Sequence, residues 1–218
     1  MNIVFDFGAV LFTWQPGLLI KTHFPEHAGT AEETAALAHA VFGHADWHNF
    51  DRGVLSAQEV SVRTAARLAL NQPALRALIE GIAGHLQPMP ETVQVLAQLR
   101  AWRDRQPGQL RLYYLSNMPA PYARVLEGAH DFLSWFDGGI FSGDVQHIKP
   151  EPEIYALLET RYDLQPRQTV FIDDLAGNLA HARTRGWQGI RFESAAQLQA
   201  QLWPLLAPAL VPTPTLST

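Results

Sequence analysis

Residues 2–11 read NIVFDFGAVL and join an apolar run to a turn that carries an acid. The β-branched and aromatic residues at 2–7 show no helical period, which is typical of a buried strand. Asp6 comes at the end of this run, and Gly8 follows two residues later. Because open α/β sheets bind ligands at the carboxyl ends of their strands, the stretch predicts a first strand and a candidate active-site carboxylate.

Similar short apolar runs recur along the chain and predict further strands at 110–116, 138–143, 169–174 and 189–192. Helical patterns lie between most of them, at 91–102, 151–162 and 178–186. Strands that alternate with helices favour parallel pairing. The predicted fold is therefore α/β, with a doubly wound, Rossmann-like parallel sheet.

Residues 15–88 interrupt this alternation, because they contain no convincing strand. Thr30 with Glu33 and Ser56 with Glu59 form capping-box patterns that open helices, and Pro73 suits a first helical turn. We expect three or four helices here, inserted after the first strand as a cap over the ligand site.

The expected domain limits follow from this insertion. We assign 1–14 plus 89–205 to the catalytic core and 15–88 to the helical cap. For 206–218 we expect a loosely ordered tail, because Pro208, Pro212 and Pro214 disfavour a helix.

Composition narrows the possible functions. The chain has 218 residues, a net charge of −5, 47% hydrophobic residues and no cysteine. These values exclude disulfides and thiolate metal sites, and they argue against nucleic acid or an anionic membrane as a partner. No signal peptide is visible, and no apolar run approaches the ~20 residues of a membrane span. We expect a cytoplasmic protein, a monomer or homodimer, that acts on a small molecule.

Further polar residues stand where other predicted strands end or helices begin: Ser116-Asn117, Lys149 and Asp173-Asp174. A parallel sheet would bring them to the same edge as Asp6. Three carboxylates there would repel one another unless a cation joined them, and hard oxygen ligands favour Mg²⁺. A lysine and a hydroxyl beside a metal suit a phosphate, next to a carboxylate nucleophile.

With these residues in place, the chain resembles the haloacid dehalogenase superfamily, in the branch with a helical, C1-type cap. The stretches that carry the resemblance are FDFGAVL, WHNFDRGVLSAQE (47–59), YLSN, KPEPEIY and VFIDD. Their order and spacing over 3–192 are more specific than any one of them. More narrowly, the chain is similar to the α-D-glucose-1-phosphate phosphatase subgroup.

The resemblance implies a nucleophile and a metal site. Asp6 would attack phosphorus and form an aspartyl-phosphate, while its other oxygen binds Mg²⁺. Gly8 would offer its backbone carbonyl to the metal. Asp174 would bind Mg²⁺ directly, and Asp173 would act through water or by orienting Lys149.

The resemblance also implies a phosphate site and shows that one acid usual in the family is missing here. Ser116 would hold phosphoryl oxygens, Asn117 would belong to the substrate-binding set, and Lys149 would neutralise phosphate and nucleophile together. The family usually has a second aspartate at the position of Gly8, which protonates the leaving oxygen. Glycine cannot do so, and a cap residue, water or an easily departing leaving group could compensate.

Three cap-side residues are candidates for substrate contact: Trp14, Trp47 and Arg52. Packing, with an Arg–Asp pair at Arg52, is the alternative for these positions. His44 and His48 have the spacing of a helical metal pair, but no third ligand is evident.

The leading interpretation is a Mg²⁺-dependent phosphatase of small phosphorylated metabolites, with a sugar phosphate as one candidate. A metal-independent 2-haloacid dehalogenase and a non-catalytic relative that binds a phosphorylated ligand are the alternatives.

Overall fold

A single five-stranded parallel sheet forms the centre of the computed structural model, which describes residues 1–210, with side chains up to 206. The strands are β1 (Asn2–Phe5), β2 (Arg111–Ser116), β3 (Gly138–Phe141), β4 (Thr169–Asp173) and β5 (Gln188–Arg191). Their order is β3-β2-β1-β4-β5. The predicted doubly wound α/β fold is confirmed.

Both faces of the sheet are buried, which explains why the strands are apolar without alternation. Ile3 and Phe5 of β1 belong to one core cluster, and Val4 belongs to a second on the opposite face. All three side chains are fully buried. The sheet therefore supplies a rigid support for the residues at its ends.

The segment between β1 and β2 opens with five α-helices, which we call the cap helices: α1 (Pro16–His23), α2 (Ala31–Phe42), α3 (Ala45–Asp51), α4 (Ala57–Leu68) and α5 (Gln72–His85). Both capping boxes are formed, at Thr30 and Ser56. We expected three or four helices and the structure has five, of which α3 is the shortest. It has only seven residues, and the Nδ1 atom of His44 caps it by accepting the amide N–H of Asp46 at 3.1 Å.

The remaining α-helices are α6 (Pro90–Arg105), α7 (Ala120–Ala129), α8 (Pro152–Tyr162), α9 (Ala176–Thr184) and α10 (Ala195–Leu210). Short 3₁₀ segments occur at Pro25–His27, Asp131–Trp135, Ser142–Asp144 and Pro166–Gln168. Helix α10 passes Pro208, which removes one backbone hydrogen bond without ending the helix. The expected tail otherwise lies outside the described residues, from 211 onward. Within the described residues, no helix has the length and apolar character needed to cross a membrane.

The strand register brings the predicted site residues to one edge. Phe5 pairs with Tyr114 of β2 and Ile172 of β4, and the amide N–H of Asp6 donates to the carbonyl of Ile172 at 2.9 Å. Since all strands are parallel, their carboxyl ends meet at this edge beside the strand-order reversal, where α/β folds bind ligands.

Candidate active site

A buried lysine joins two carboxylates at this edge. Lys149 Nζ lies 2.8 Å from Asp6 Oδ1 and 2.7 Å from Asp173 Oδ2. Burial disfavours the lysine's charge, but Asp173 and Asp6 outweigh it and raise the pKa of Lys149. Lys149 is therefore positively charged between two buried acids, and its charge offsets theirs.

Asp6, the candidate nucleophile, lies in a cluster of carboxylates that could hold a cation. Burial raises the pKa of Asp6 above its ordinary value, although Lys149 opposes this effect. Burial and then Asp173 raise the pKa of Asp174. Carboxylate oxygens of Asp6, Asp173 and Asp174 all lie within 4.8 Å of one another. The donor set fits a hard divalent cation, which would relieve this excess of negative charge.

Asp173 is the most completely hydrogen-bonded of the three acids. Its carboxylate accepts from Lys149, from the amide N–H of Leu175 at 2.8 Å and from Asn178 Nδ2 at 3.0 Å to each oxygen. It is fully buried. These bonds hold Asp173 as a support for Lys149. Sequence analysis missed Asn178, although its place in the first turn after VFIDD was a usable signal.

Asn117 contacts the lysine's backbone. Its Oδ1 accepts the amide N–H of Lys149 at 2.7 Å, and its Nδ2 donates to the carbonyl of Lys149 at 3.0 Å. The side chain predicted to bind substrate thus fixes the loop that carries Lys149. Ser116, one residue earlier, is buried at the end of β2 and lines the same cavity.

A cavity of about 250 Å³ opens over these groups. Its polar lining comes from Asp6, His48, Asp51, Ser116, Asn117, Lys149, Asp174 and Asn178. Its apolar lining comes from Trp14, Phe42, Trp47, Ile82, Leu86, Met118, Pro119, Tyr122 and Leu175. Gly8 also lines it. The polar residues lie mainly on the core side. The apolar residues come from both sides: Phe42, Trp47, Ile82 and Leu86 from the cap, Trp14 from the segment just before it, and the other four from the core.

Aromatic rings form the cap wall of this cavity. Trp14 and Trp47 stack with ring centroids 6.4 Å apart, and Phe42 meets Trp47 edge-on at 4.8 Å. Trp47 is buried, and Trp14 is half-buried. Both of these predicted residues line the cavity, so packing and substrate contact are compatible roles for them.

Arg52, the third of the predicted substrate-contact residues, does not line this cavity. Its guanidinium makes two hydrogen bonds of 2.6 Å with the carboxylate of Glu151, the residue that precedes α8. It forms an Arg–Glu pair between cap and core and is outside the cavity lining described above. Nor do His44 and His48 form a metal cluster within the described residues, where His44 instead contacts Asp46.

A cap carboxyl completes the site and was not predicted. Asp51 ends α3, is buried and lines the cavity. Burial raises the pKa of Asp51 to about 8, against the opposing effect of Lys149. It stands in the quoted stretch WHNFDRG, but the sequence offered no sign that it, rather than Arg52, faces the core.

Comparison with known proteins identifies the family of the chain. The sequence profile of the haloacid dehalogenase-like hydrolases matches residues 4–183. This chain belongs to that family. The predicted superfamily is thus confirmed, whereas the α-D-glucose-1-phosphate phosphatase subgroup stays a prediction.

Curated relatives of this haloacid dehalogenase-like hydrolase include phosphatases. The sesquiterpene phosphatase astK of Aspergillus oryzae is 26% identical over 86% of this chain and 87% of its own length. A phosphoglycolate phosphatase of Salmonella typhimurium is 31% identical, but over only 35% of this chain and 31% of that protein.

Solved structures share the fold of this hydrolase. The family enzyme bt-2542 of Bacteroides thetaiotaomicron, in complex with magnesium and inorganic phosphate, superposes with a TM-score of 0.67 at 18% identity. The match covers 90% of this chain and 98% of that one.

Proposed function

We propose that the chain is a Mg²⁺-dependent phosphatase that hydrolyses a small phosphate monoester through an aspartyl-phosphate on Asp6. The observation that supports this most is Lys149 between Asp6 and Asp173, with Asp174 within metal-binding distance. A cation and an ammonium group beside one carboxylate suit a phosphate dianion, because they offset the repulsion between nucleophile and substrate.

The chain's own residues have distinct tasks in this proposal. Asp6 attacks phosphorus, and Lys149 stabilises the negative charge on the transferring group. Ser116 binds a phosphoryl oxygen with its hydroxyl. Asn117 and Asp173 hold Lys149 in place through the hydrogen bonds described above.

Asp6, Asp174 and the backbone carbonyl of Gly8 would hold the Mg²⁺, with Asp173 next to them. The bt-2542 complex with magnesium and phosphate supports this choice of ion. Bound there, the ion would neutralise charge that develops on the phosphoryl oxygens. The carboxylates supply oxygen ligands only, which is the set that Mg²⁺ prefers.

The cavity favours an apolar alcohol over a sugar as the esterified group. Trp14, Phe42 and Trp47 offer aromatic surface on the cap side, whereas a sugar would need several hydroxyl partners. The name of the astK relative, a sesquiterpene phosphatase, agrees with an apolar substrate. We therefore propose an isoprenoid-like alkyl phosphate, with the sugar phosphate of the sequence interpretation as the competing substrate. The cap helices would close over its apolar part.

A substrate panel tests both levels of the proposal. Phosphate release is measured with Mg²⁺ on prenyl phosphates, linear alkyl phosphates, sugar phosphates and phosphoglycolate. We expect kcat/KM to be highest for the prenyl phosphates and activity to vanish in chelator or in Asp6→Asn. Activity that survives either change contradicts the mechanism, whereas a preference for sugar phosphates contradicts only the substrate class.

The dehalogenase alternative shares this fold, as the L-2-haloacid dehalogenase of Xanthobacter autotrophicus does at 19% identity and a TM-score of 0.62. Asp174 argues against it here, because an extra carboxylate without a metal would repel an anionic haloacid. Halide release in chelator would support the dehalogenase. Binding of phosphate esters without any turnover would support the non-catalytic alternative.

A further inference from the structure

The loop that follows β1 contains no acid beyond the nucleophile. A Cβ built on Gly8 would meet only Trp14 Cβ, at 3.9 Å, so the position has room for a side chain and has none. When an alkyl phosphate is cleaved, the departing oxygen is strongly basic and needs a proton. The proton must then come from another part of the cavity.

The described cavity residues offer few donors for this step. Lys149 is already paired with two carboxylates. The hydroxyl of Tyr122 donates to the carbonyl of Ile79. Burial, followed by Arg52 and His44, lowers the pKa of His48, which leaves it neutral near pH 7.

We infer that Asp51, a cap residue, is the general acid and base that serves the reaction at Asp6. This inference rests on the proposed phosphatase function. Asp51 belongs to the cap helix α3 and lines the same cavity as Asp6, which follows β1 of the core.

Three contacts hold the end of α3 against the core. Ser142 Oγ donates to the backbone carbonyl of Asp51 at 2.5 Å. Arg52, the next residue, makes the two-bond pair with Glu151. A Cβ on Gly53 would come within 2.7 Å of the carbonyl oxygen of Gly143, so the two backbones are nearly in contact. The Asp51 carboxyl is thus placed by backbone and salt-bridge contacts.

The surroundings of Asp51 favour its neutral form. Lys149 and Asp6 face it from the core with opposite charges, and the side chain of Trp47, one turn earlier in α3, acts to lower its pKa. Tyr122 faces it from α7, where burial, followed by the charge of Asp51, raises the pKa of the phenol. Burial dominates at Asp51 and holds its pKa at about 8, so the group carries a proton near neutral pH.

The proposed reaction has two steps, transfer of the phosphoryl group to Asp6 and its hydrolysis. An oxygen of Asp6 forms a bond to phosphorus while the bond from phosphorus to the alcohol oxygen breaks, and that oxygen takes the electron pair. The Asp51 carboxyl gives its proton to the alcohol oxygen and becomes a carboxylate. A water then attacks the aspartyl-phosphate, Asp51 takes one proton from it, and the electron pair of the breaking bond returns to Asp6.

The substitution Asp51→Asn, assayed on substrates with different leaving groups, distinguishes proton transfer by Asp51 from a packing role. With Mg²⁺ and an alkyl phosphate we expect kcat/KM, which reports the transfer step, to fall roughly 10²–10⁴-fold, the range of general acid–base catalysis. With 4-nitrophenyl phosphate, whose leaving group needs no proton, we expect kcat/KM to fall less than about tenfold, whereas kcat should fall for both esters because water attack on the shared aspartyl-phosphate still needs Asp51 as base. In the wild type, kcat/KM for the alkyl phosphate should decline at alkaline pH as Asp51 ionises, and this limb should vanish in the variant.

A second variant tests the role by moving the acid. Gly8→Asp combined with Asp51→Asn places a carboxyl on the nucleophile loop, and we expect it to regain alkyl phosphate turnover. Asp51→Ser is a smaller replacement, should Asn not be tolerated, and thermal unfolding confirms that each variant is folded.

The outcomes distinguish the two proposals. If the wild type releases phosphate from no ester in the panel, the proposed function fails. If the wild type is active but Asp51→Asn lowers kcat/KM equally for alkyl and aryl phosphates, or for neither, the assignment of Asp51 is overturned and the phosphatase stands.

Discussion

Arg52 and Glu151 connect the cap to the core through two parallel hydrogen bonds of 2.6 Å each. Each of them adjoins a site segment: Arg52 follows Asp51, and Glu151 lies two residues after Lys149. Glu151 also accepts the amide N–H of Ile148 at 3.1 Å. The pair therefore links the positions of the cap carboxyl and the core lysine.

Breaking the Arg52–Glu151 pair should cost a modest amount of stability. For Arg52→Ala and Glu151→Gln, singly and combined, we expect a coupling free energy of about 1 kcal/mol or less, because both side chains are partly exposed and screened. Urea unfolding measures it, and it should shrink at high salt. The exposed pair Arg76 and Glu80 within α5 is the control, with a smaller coupling. A coupling at Arg52 no larger than this control contradicts the prediction.

Removal of the charge of Lys149 should destabilise the fold far more than loss of the Arg52–Glu151 pair. Lys149→Met leaves Asp6 and Asp173 buried without their cation, and loss of one partner from a buried ion pair costs about 3–5 kcal/mol. We expect a large fall in the urea midpoint without metal and partial recovery with Mg²⁺, which restores positive charge. Lys21→Met, on the exposed side of α1, should change stability little. Equal effects of the two substitutions would rule out this account of Lys149.

Metal binding should be visible without turnover. If Mg²⁺ binds the folded site, it stabilises the protein by about 2.7 kcal/mol at one hundred times its dissociation constant. We expect the melting temperature to rise with Mg²⁺ and this rise to be lost in Asp174→Asn. Glu153→Gln alters the other acidic group, with His147 and Glu151, and should keep the full shift. A shift that disappears only in Glu153→Gln would place the ion there instead.

The buried carboxyl of the cap should make stability depend on pH. The pKa of Asp51 rises from an ordinary 3.8 to about 8 on folding, so the folded chain retains a proton that the unfolded chain releases. Rising pH therefore destabilises the fold between these two values, by at most about 1.4 kcal/mol per pH unit. In chelator, Asp51→Asn should become progressively more stable than the wild type from about pH 4 to about pH 8, and no further above that.

Urea unfolding over a pH series measures this difference, with Asp104→Asn on the surface of α6 as the control. A difference between Asp51→Asn and the wild type that stays constant with pH would show that folding does not raise the pKa of Asp51, contrary to this prediction.

The sequence alone determined the parallel sheet and the core half of the site. Strands, capping boxes and strand-end carboxylates are local patterns, because each depends on a few consecutive residues and the periodicity around them. The proximity of Asp6, Lys149 and Asp174 could be predicted, because the carboxyl ends of parallel strands and the loops that follow them meet at one edge regardless of what covers it.

Only the tertiary structure decided what the cap contributes. Whether Asp51 or Arg52 faces Lys149 depends on the rotation of a seven-residue helix, which its own sequence leaves open. That rotation is set by contacts between segments far apart in the chain: Ser142 with Asp51, 91 residues away, and Arg52 with Glu151, 99 residues away. Such contacts arise where two separate surfaces pack together, so no local sequence pattern predicts them. They bring the carboxyl of Asp51 to the cavity that Gly8, in the loop after β1, also lines.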